Sequence, residues 1–248
     1  MFVHTESAAG AAGVQVAFTD ATVDVAEPAP GLTGTGGPGS LHPTLAALGR
    51  QCGAEVVRMR QVHGSTVHVV GPAVTGAVAG AAAESGPEGV PEADALVTRQ
   101  AGVALMARAA DCVPVLLADP EVGVIGAVHA GRKGVVEGVV TAAVEQVRAL
   151  GGQALHAWVG PHVCGRCYEV PAPMRDAVAA VVPETWSETS WGTPALDLGA
   201  GVLAQLERSG VRSHTSLGLC SLEDPRLWSF RRDGEAAGRM GALIWMRP

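Results

Sequence analysis

Three short segments each set a strong metal ligand at the edge of an apolar run. "RQVHG" carries His63, "AADCVP" carries Cys112 and "AVHAG" carries His129. Two imidazoles and one thiolate suit Zn²⁺, and three protein ligands leave the fourth tetrahedral position open to water or substrate, the mark of a catalytic site. The cysteine must ionise to bind, which a metal drives. Asp111, beside Cys112, is placed to orient a ligand or a bound water. No short-range zinc-finger spacing joins the three, so only the fold can assemble them. Each also has an ordinary alternative: a turn histidine before Gly64, a small buried thiol, and a histidine that ends a strand.

Other segments carry weaker signals. "PHVCGRCYEV" sets His162, Cys164 and Cys167 in an H-x-C-x-x-C pattern. A C-x-x-C pair binds zinc or exchanges disulfides, but here it has no second C-x-x-C and no thioredoxin-like flank, and a packed loop is the simpler account. "SFRRDG" sets Arg231 and Arg232 beside Asp233. A guanidinium there suits a phosphate, and a hairpin whose arginines pair with surface acids is the alternative. The glycine-rich nucleotide loops, the G-x-S-x-G elbow and H-E-x-x-H are absent from the sequence, which disfavours those classes.

The elements that must position these groups follow from the apolar pattern. "DALVT", "GVALMARA", "CVPVLLAD" and "GVIGAVHA" are short Val/Leu/Ile runs bounded by Gly, Pro and Asp, and they predict buried strands. "GVVEGVVTAAVEQVRALGG" changes period: Val135, Val136, Val139, Val140, Ala143, Val144, Val147 and Leu150 form one helical stripe that Gly151 ends. "PTLAALGRQC", "APMRDAVAAVV" and "LDLGAGVLAQLERSG" predict helices. "VQVAFTDATVDV" predicts a strand pair, and "AEVVRMRQVHG", "TVHVV", "ALHAWVG", "LWSFRRDG" and "GALIWM" predict strands. "AEPAPGLTGTGGPGS" and "AVTGAVAGAAAESGPEGVPE" predict loops. Strands and helices interleave without a strict βαβ rhythm, which predicts a mixed α/β (α+β) fold in a single domain over 1–248, with residues 1–40 divergent and partly loop.

Composition bounds the function classes. The chain has 248 residues, 48% hydrophobic, with a formal charge of -7. That is ample apolar material for a core, and with no Lys/Arg block nucleic acid is excluded as a main partner. The N-terminus lacks a secretory pattern, and the apolar runs fall short of the ~20 residues that span a bilayer, so no membrane partner is expected. Five cysteines, an odd number, fit a reducing cytoplasm better than a disulfide scaffold.

Together "RQVHGSTV", "ADALVT", "ADCVPVLLAD", "GVIGAVHAGRKGVVEGVV", "VGPHVCGRCYEV", "LDL" and "CSLEDPRLWSFRRDGEAAGRMGALIWM" resemble one family, in its order from about residue 55 to the C-terminus. It is the purine nucleoside phosphorylase family long labelled multicopper polyphenol oxidase or laccase-domain proteins. The resemblance implies a sandwich-like mixed α/β fold flanked by helices, similar to the cytotoxic necrotizing factor-like fold. It implies zinc on His63, Cys112 and His129, phosphorolysis of adenosine, inosine, guanosine and methylthioadenosine, and adenosine deamination. Purine nucleoside and phosphate are then the partners. Bacterial members are also linked to peptidoglycan precursor editing.

Four departures from the family pattern spare the three ligands and fall on the expected substrate and phosphate pocket. Arg132 and Lys133 stand where the family has Trp–Arg, His162 where it has a cysteine, and Val202 where it often has Asn. The family's N-terminal arginine motif is not recognisable. Arg231, Arg232, Arg132 and His162 are the candidate substrate-binding residues, and His68, Asp111 and Glu169 the candidate proton donors. Copper-dependent phenol oxidation is the alternative that the older label carries, and eight histidines are few for it. A Cys112–His129 pair doing acyl-transfer chemistry, and a binding protein without chemistry, are the others.

Overall fold

Val103–Ala109, Val113–Asp119 and Val124–Ala130 are buried at every position. A strand reads this way only when both its faces are covered. The computed structural model describes residues 1–26, 43–71 and 90–247, and there the covering is double. The chain forms β1 (Phe2–Ser7), β2 (Val14–Thr19), α1 (Pro43–Cys52), β3 (Glu55–Val57), β4 (Val67–Val70), β5 (Ala95–Thr98), β6 (Val103–Ala109), β7 (Val113–Asp119) and β8 (Val124–Ala130). It continues with α2 (Arg132–Glu137), α3 (Val139–Ala149), β9 (His156–Val159), α4 (Ala172–Ala179), β10 (Trp186–Glu188) and β11 (Pro194–Leu196). It ends with α5 (Leu198–Arg208), β12 (Ser213–Ser216), α6 (Phe230–Asp233) and β13 (Met240–Met246).

Two sheets stack face to face, with strand orders β1-β2-β13-β6-β3 and β12-β9-β7-β8-β5-β4, and β10 and β11 form a separate hairpin. Between the sheets, Phe18, Leu105 and Ile244 from the first meet Leu116, Ile125 and Trp158 from the second. The alternate residues of the second sheet, Val115, Leu117 and Val128, pack on Val140, Val144 and Val147 of α3 and on Val202 and Leu206 of α5. On the far side, Ala104, Met106 and Leu243 pack on Leu45 and Leu48 of α1. The order helix, sheet, sheet, helix is the expected mixed α/β fold. Each fully buried Val or Leu contributes about 1.5–3 kcal/mol relative to exposure, so this double covering supplies most of the driving force.

The differences from expectation have local causes. The predicted single helix after β8 is two, because Gly138 sits at φ 82° and its N–H turns back to Gly134 and Val135 carbonyls. The apolar stripe stays intact across the break. "LWSFRRDG" is not a strand but the turn and short helix α6, capped by Ser229 Oγ accepting from the Arg232 N–H. β2 pairs with β1 and β13 rather than with "ATVDV". Val23 and Val25 instead bury themselves beside α1. The "AEVVRMRQVHG" strand stops at Val57, and the loop beyond it delivers His63. Strand β12 ("SHTS") was hidden because it is a polar edge strand, and the β10–β11 hairpin because each arm has only three residues. The two loop predictions at 26–40 and 73–92 lie almost wholly outside the described residues. Among the described residues, no helix is long and apolar enough to cross a membrane.

The far end of β7 holds a buried anion that sets an acid limit on stability. The Asp119 carboxylate accepts backbone N–H groups from Glu121, Val122, Gln153 and Ala154. Burial pushes its pKa up, but these bonds outweigh burial and hold it below the usual value. A depressed folded pKa gives stability that is present above the unfolded value of about 3.9 and lost as pH falls through the folded one. Asp119→Asn should therefore cost about 2 kcal/mol at pH 7, the scale of hydrogen bonds to a charged group. In urea titrations that difference should shrink below pH 4; a constant difference from pH 7 to pH 3 would refute the assignment.

Candidate metal centre

Register brings the three ligands to one end of the second sheet. Val113 lies opposite Ala130 and Pro114 opposite His129 across β7 and β8, so Cys112, one step before β7, emerges beside His129. Ala95 lies opposite Val128 across β5 and β8, and Asp94, one step before β5, reaches the same end. His63 arrives on the loop between β3 and β4. Its Nε2 lies 3.8 Å from Cys112 Sγ, and its ring meets that of His129 edge-on, with centroids 4.8 Å apart. The ligand atoms of His63, Cys112 and His129 all lie within 4.8 Å of one another.

Asp94, 0% exposed, organises this end. Its Oδ1 meets His129 Nδ1 at 2.8 Å and accepts the His63 N–H at 3.0 Å. Its Oδ2 accepts the N–H groups of Val62 and Gly64 at 3.2 and 2.7 Å. Three successive backbone N–H groups thus cradle one carboxylate, an anion nest. The nest needs a left-handed residue, and His63 supplies it at φ 61°. Asp111, just ahead of Cys112, is the other non-glycine residue with positive φ among the described residues, at 90°. Its carboxylate is tied down at both oxygens, by the Ser221 hydroxyl at 2.6 Å and the Arg231 N–H at 2.6 Å. Such backbone strain costs about 1–3 kcal/mol and persists only where neighbours enforce it. Here it aims two ligands at one point.

The electrostatics suit a metal. Burial pushes the Cys112 thiol up, but hydrogen bonds and charge from His129, then from His63, outweigh it and bring the pKa down to about 6. Burial pushes His129 down, but Asp94 and Cys112 outweigh it and raise the imidazole to about 9. The two shifts run in the directions that favour a thiolate beside an imidazolium, and a metal ion would displace the proton on His129. With Nδ1 bonded to Asp94, the ring offers Nε2 to a metal, in the carboxylate–histidine arrangement that orients zinc ligands. His63 is exposed, Cys112 half-buried and His129 buried, so the site opens on one side. The donor set and this opening fit Zn²⁺ with a free position.

Gly131 makes the convergence possible. A Cβ there would lie 2.5 Å from His63 Cδ2 and 3.3 Å from Cys112 Sγ. Gly131→Ala should displace both ligands and weaken zinc at least tenfold, the scale of losing an outer support, while circular dichroism stays native. Unchanged zinc affinity would show that the ligands do not need this space.

The other predicted residues are not in the cluster of ligand atoms. Arg132 is half-buried at the start of α2, and Lys133 pairs with Glu137 at 3.5 Å. Among the remaining candidates, His162 Nδ1 meets the Gly160 carbonyl at 2.8 Å, and burial keeps its pKa low. Arg232 spends its guanidinium on the carbonyls of Ser221, Leu222, Asp224 and Leu227 and on Asp233, so it holds a turn together. Arg231 stacks over Tyr168 at 5.0 Å and donates to the Glu169 carbonyl at 2.8 Å. It lines an open groove of about 500 Å³ with Glu169, Trp191 and Thr193. The Glu169 carboxylate accepts the Trp191 indole N–H at 2.8 Å. His68 lies on β4, where burial lowers its pKa. Sequence reasoning missed Asp94, Ser221 and Gly131. Only Asp94 left a signal: a lone acid entering the apolar strand of "ADALVT".

The fold is a two-sheet α/β sandwich that gathers two imidazoles and a thiolate at one sheet end, close enough to hold a metal ion. Residues 42–247 match the family described as multi-copper polyphenol oxidoreductase laccase, and the chain belongs to it. Its relatives include a Streptomyces griseus protein named purine nucleoside phosphorylase ORF3, 45% identical over 99% of this chain and 100% of that protein. A Streptomyces coelicolor protein also named purine nucleoside phosphorylase is 50% identical over 78% of this chain and 76% of its own length. Among solved structures, a Neisseria meningitidis protein of the DUF152 family superposes with a TM-score of 0.73 at 28% identity, covering 99% of both chains.

Proposed function

We propose that this chain is a Zn²⁺-dependent purine nucleoside phosphorylase that also deaminates adenosine, acting on adenosine, inosine, guanosine and methylthioadenosine. The observation that carries the reading is the convergence of His63, Cys112 and His129 around one point with Asp94 behind His129. The names of the two Streptomyces relatives supply the substrate class. His63, Cys112 and His129 would hold the ion, which when bound supplies Lewis acidity and a depressed water pKa. Asp94 fixes the His129 ring and the His63 loop, and Asp111 fixes the turn that presents Cys112. In phosphorolysis, a phosphate oxygen attacks C1′ as the C1′–N9 bond breaks, and the purine leaves with the bonding pair and takes up a proton. Arg231 is the residue assigned to the phosphate, since its guanidinium opens onto a groove. Five free cysteines support a reducing, cytoplasmic setting.

The test is a nucleoside panel with and without phosphate, with products identified and metal content measured. Phosphate-dependent release of free purine and ribose 1-phosphate by zinc-loaded protein is expected. A zinc-loaded protein inert on every nucleoside would sink the reading.

One observation favours a second reading. Cys112, His129 and Asp94 also form a series of nucleophile, proton-transfer imidazole and orienting carboxylate. It would serve acyl transfer, such as cleavage of a peptidoglycan precursor amide. Resistance to chelators combined with inactivation by iodoacetamide would favour it over the zinc enzyme.

A further inference from the structure

A second set of soft ligands lies close by and shares no residue with the first. Cys164 and Cys167, on the loop after β9, meet Cys220 and Glu223, on the turn after β12. Their sulfur and carboxylate atoms all lie within 4.8 Å of one another. The sulfurs of a tetrahedral zinc site, with Zn–S about 2.3 Å, sit roughly 3.8 Å apart, so little adjustment would close these four on one ion.

The surroundings favour a metal over simple packing. The N–H groups of Cys167 and Tyr168 both donate to the Cys164 carbonyl at 3.0 Å, which curls the C-x-x-C into one turn. The N–H of Cys164 points at Cys220 Sγ at 3.4 Å, and that of Arg166 reaches the Cys164 sulfur. Backbone donors of this kind offset the charge of metal-bound thiolates. Val163, Tyr168 and Leu222 pack around the sulfurs on the protein side, while exposed Glu223 approaches Cys167 from the solvent side. The Cys167 thiol donates to that carboxylate, which sets a fourth, anionic donor beside the three sulfurs. A Cys164–Cys167 disulfide would strand both Cys220 and Glu223.

We propose that Cys164, Cys167, Cys220 and Glu223 bind a soft divalent metal ion, Zn²⁺ by ligand chemistry, as a structural clamp. Each cysteine that ligates the ion releases its thiol proton, and no redox change occurs. The clamp joins the loop after β9 to the turn after β12, where the Ser221 N–H donates to the His162 carbonyl at 2.9 Å. Those segments also hold Asp111: Ser221 binds its carboxylate and the Val163 N–H donates to its carbonyl at 3.1 Å. A metal here therefore steadies the strained turn beside Cys112 from a distance.

The test uses the full chain carrying Cys112→Ala, so that the first site contributes no thiolate. The protein is stripped of metal and titrated with Co²⁺. Expected are a stoichiometric sulfur-to-cobalt charge-transfer band, the absorption of tetrahedral Co²⁺, and protection of three thiols from a disulfide reagent. Adding Cys164→Ser should abolish the band. Glu223→Gln, a surface change that spares folding, should weaken Co²⁺ roughly tenfold or more, since even outer supports carry that much. The proposal is overturned if the Cys112→Ala protein gives no cobalt–thiolate band with all its thiols reactive. It is equally overturned if fresh protein has a mass lower by two hydrogens, with Cys164 crosslinked to Cys167.

Discussion

Cys112→Ala is expected to abolish zinc binding at the His63–Cys112–His129 centre and, with it, nucleoside phosphorolysis. Turnover should fall at least about a thousandfold, because a bound ion contributes several kcal/mol to the charge of a transition state and each 1.36 kcal/mol is tenfold. The thiolate is the only anionic ligand of the trio, and without it two imidazoles remain, one of them on an exposed loop. Some stability should be lost with the metal, since Cys112 is hydrogen-bonded to His129 of β8, but the backbone pairing of β7 and β8 does not involve the thiol. Metal content should drop by one ion per chain rather than to zero, because the Cys164–Cys167–Cys220–Glu223 cluster is untouched. Elemental analysis, a phosphorolysis assay and a urea titration on the same preparation separate these effects. Wild-type turnover by a Cys112→Ala protein with its first site empty would remove zinc from the mechanism. A chelator that silences the native enzyme, with recovery on adding Zn²⁺, is the companion result that excludes a metal-free Cys–His nucleophile.

What the sequence disclosed, and what it withheld, follows from the range of each interaction. β6, β7 and β8 were legible because burial on both faces writes a continuous apolar run. The helix stripe from Val135 to Val147 was legible because its period survives the break at Gly138. The convergence of His63, Cys112 and His129 was legible as residue types at strand edges, since the register of β7 and β8 brings together the very positions where Cys112 and His129 stand. Asp94 was not, because an aspartate before a strand usually ends a turn, and only the fold turns its carboxylate onto His129 and the His63 loop. Arg231 and Arg232 looked equivalent, yet one borders a groove and the other is absorbed by carbonyls of its own turn. Cys220 and Glu223 lie more than fifty residues beyond the C-x-x-C in the chain, so only tertiary contact joins them to it.

Asp94→Asn should injure both the fold and the metal centre, and the two injuries can be told apart. The carboxylate accepts three backbone N–H groups and meets the buried His129 ring. An amide offers one oxygen, and its NH₂ must face a donor. At least one buried N–H or the ring nitrogen is then left unsatisfied, and breaking a buried pair of this kind costs about 3–5 kcal/mol. The nest opens, the left-handed turn at His63 loses its reason, and the His129 ring loses the partner that fixes which nitrogen faces the metal. Zinc affinity should fall about 10–100-fold, the range found when a ligand's hydrogen-bonded support is removed. Asp119→Asn is the matched control. It too strips a buried carboxylate of backbone N–H bonds, but at the opposite end of β7, about 20 Å along the strand from Cys112. Both variants should unfold at lower urea, and only Asp94→Asn should release zinc more readily to a chromophoric chelator. Equal zinc affinity in the two would detach Asp94 from the site and reduce it to one more buried acid holding a loop.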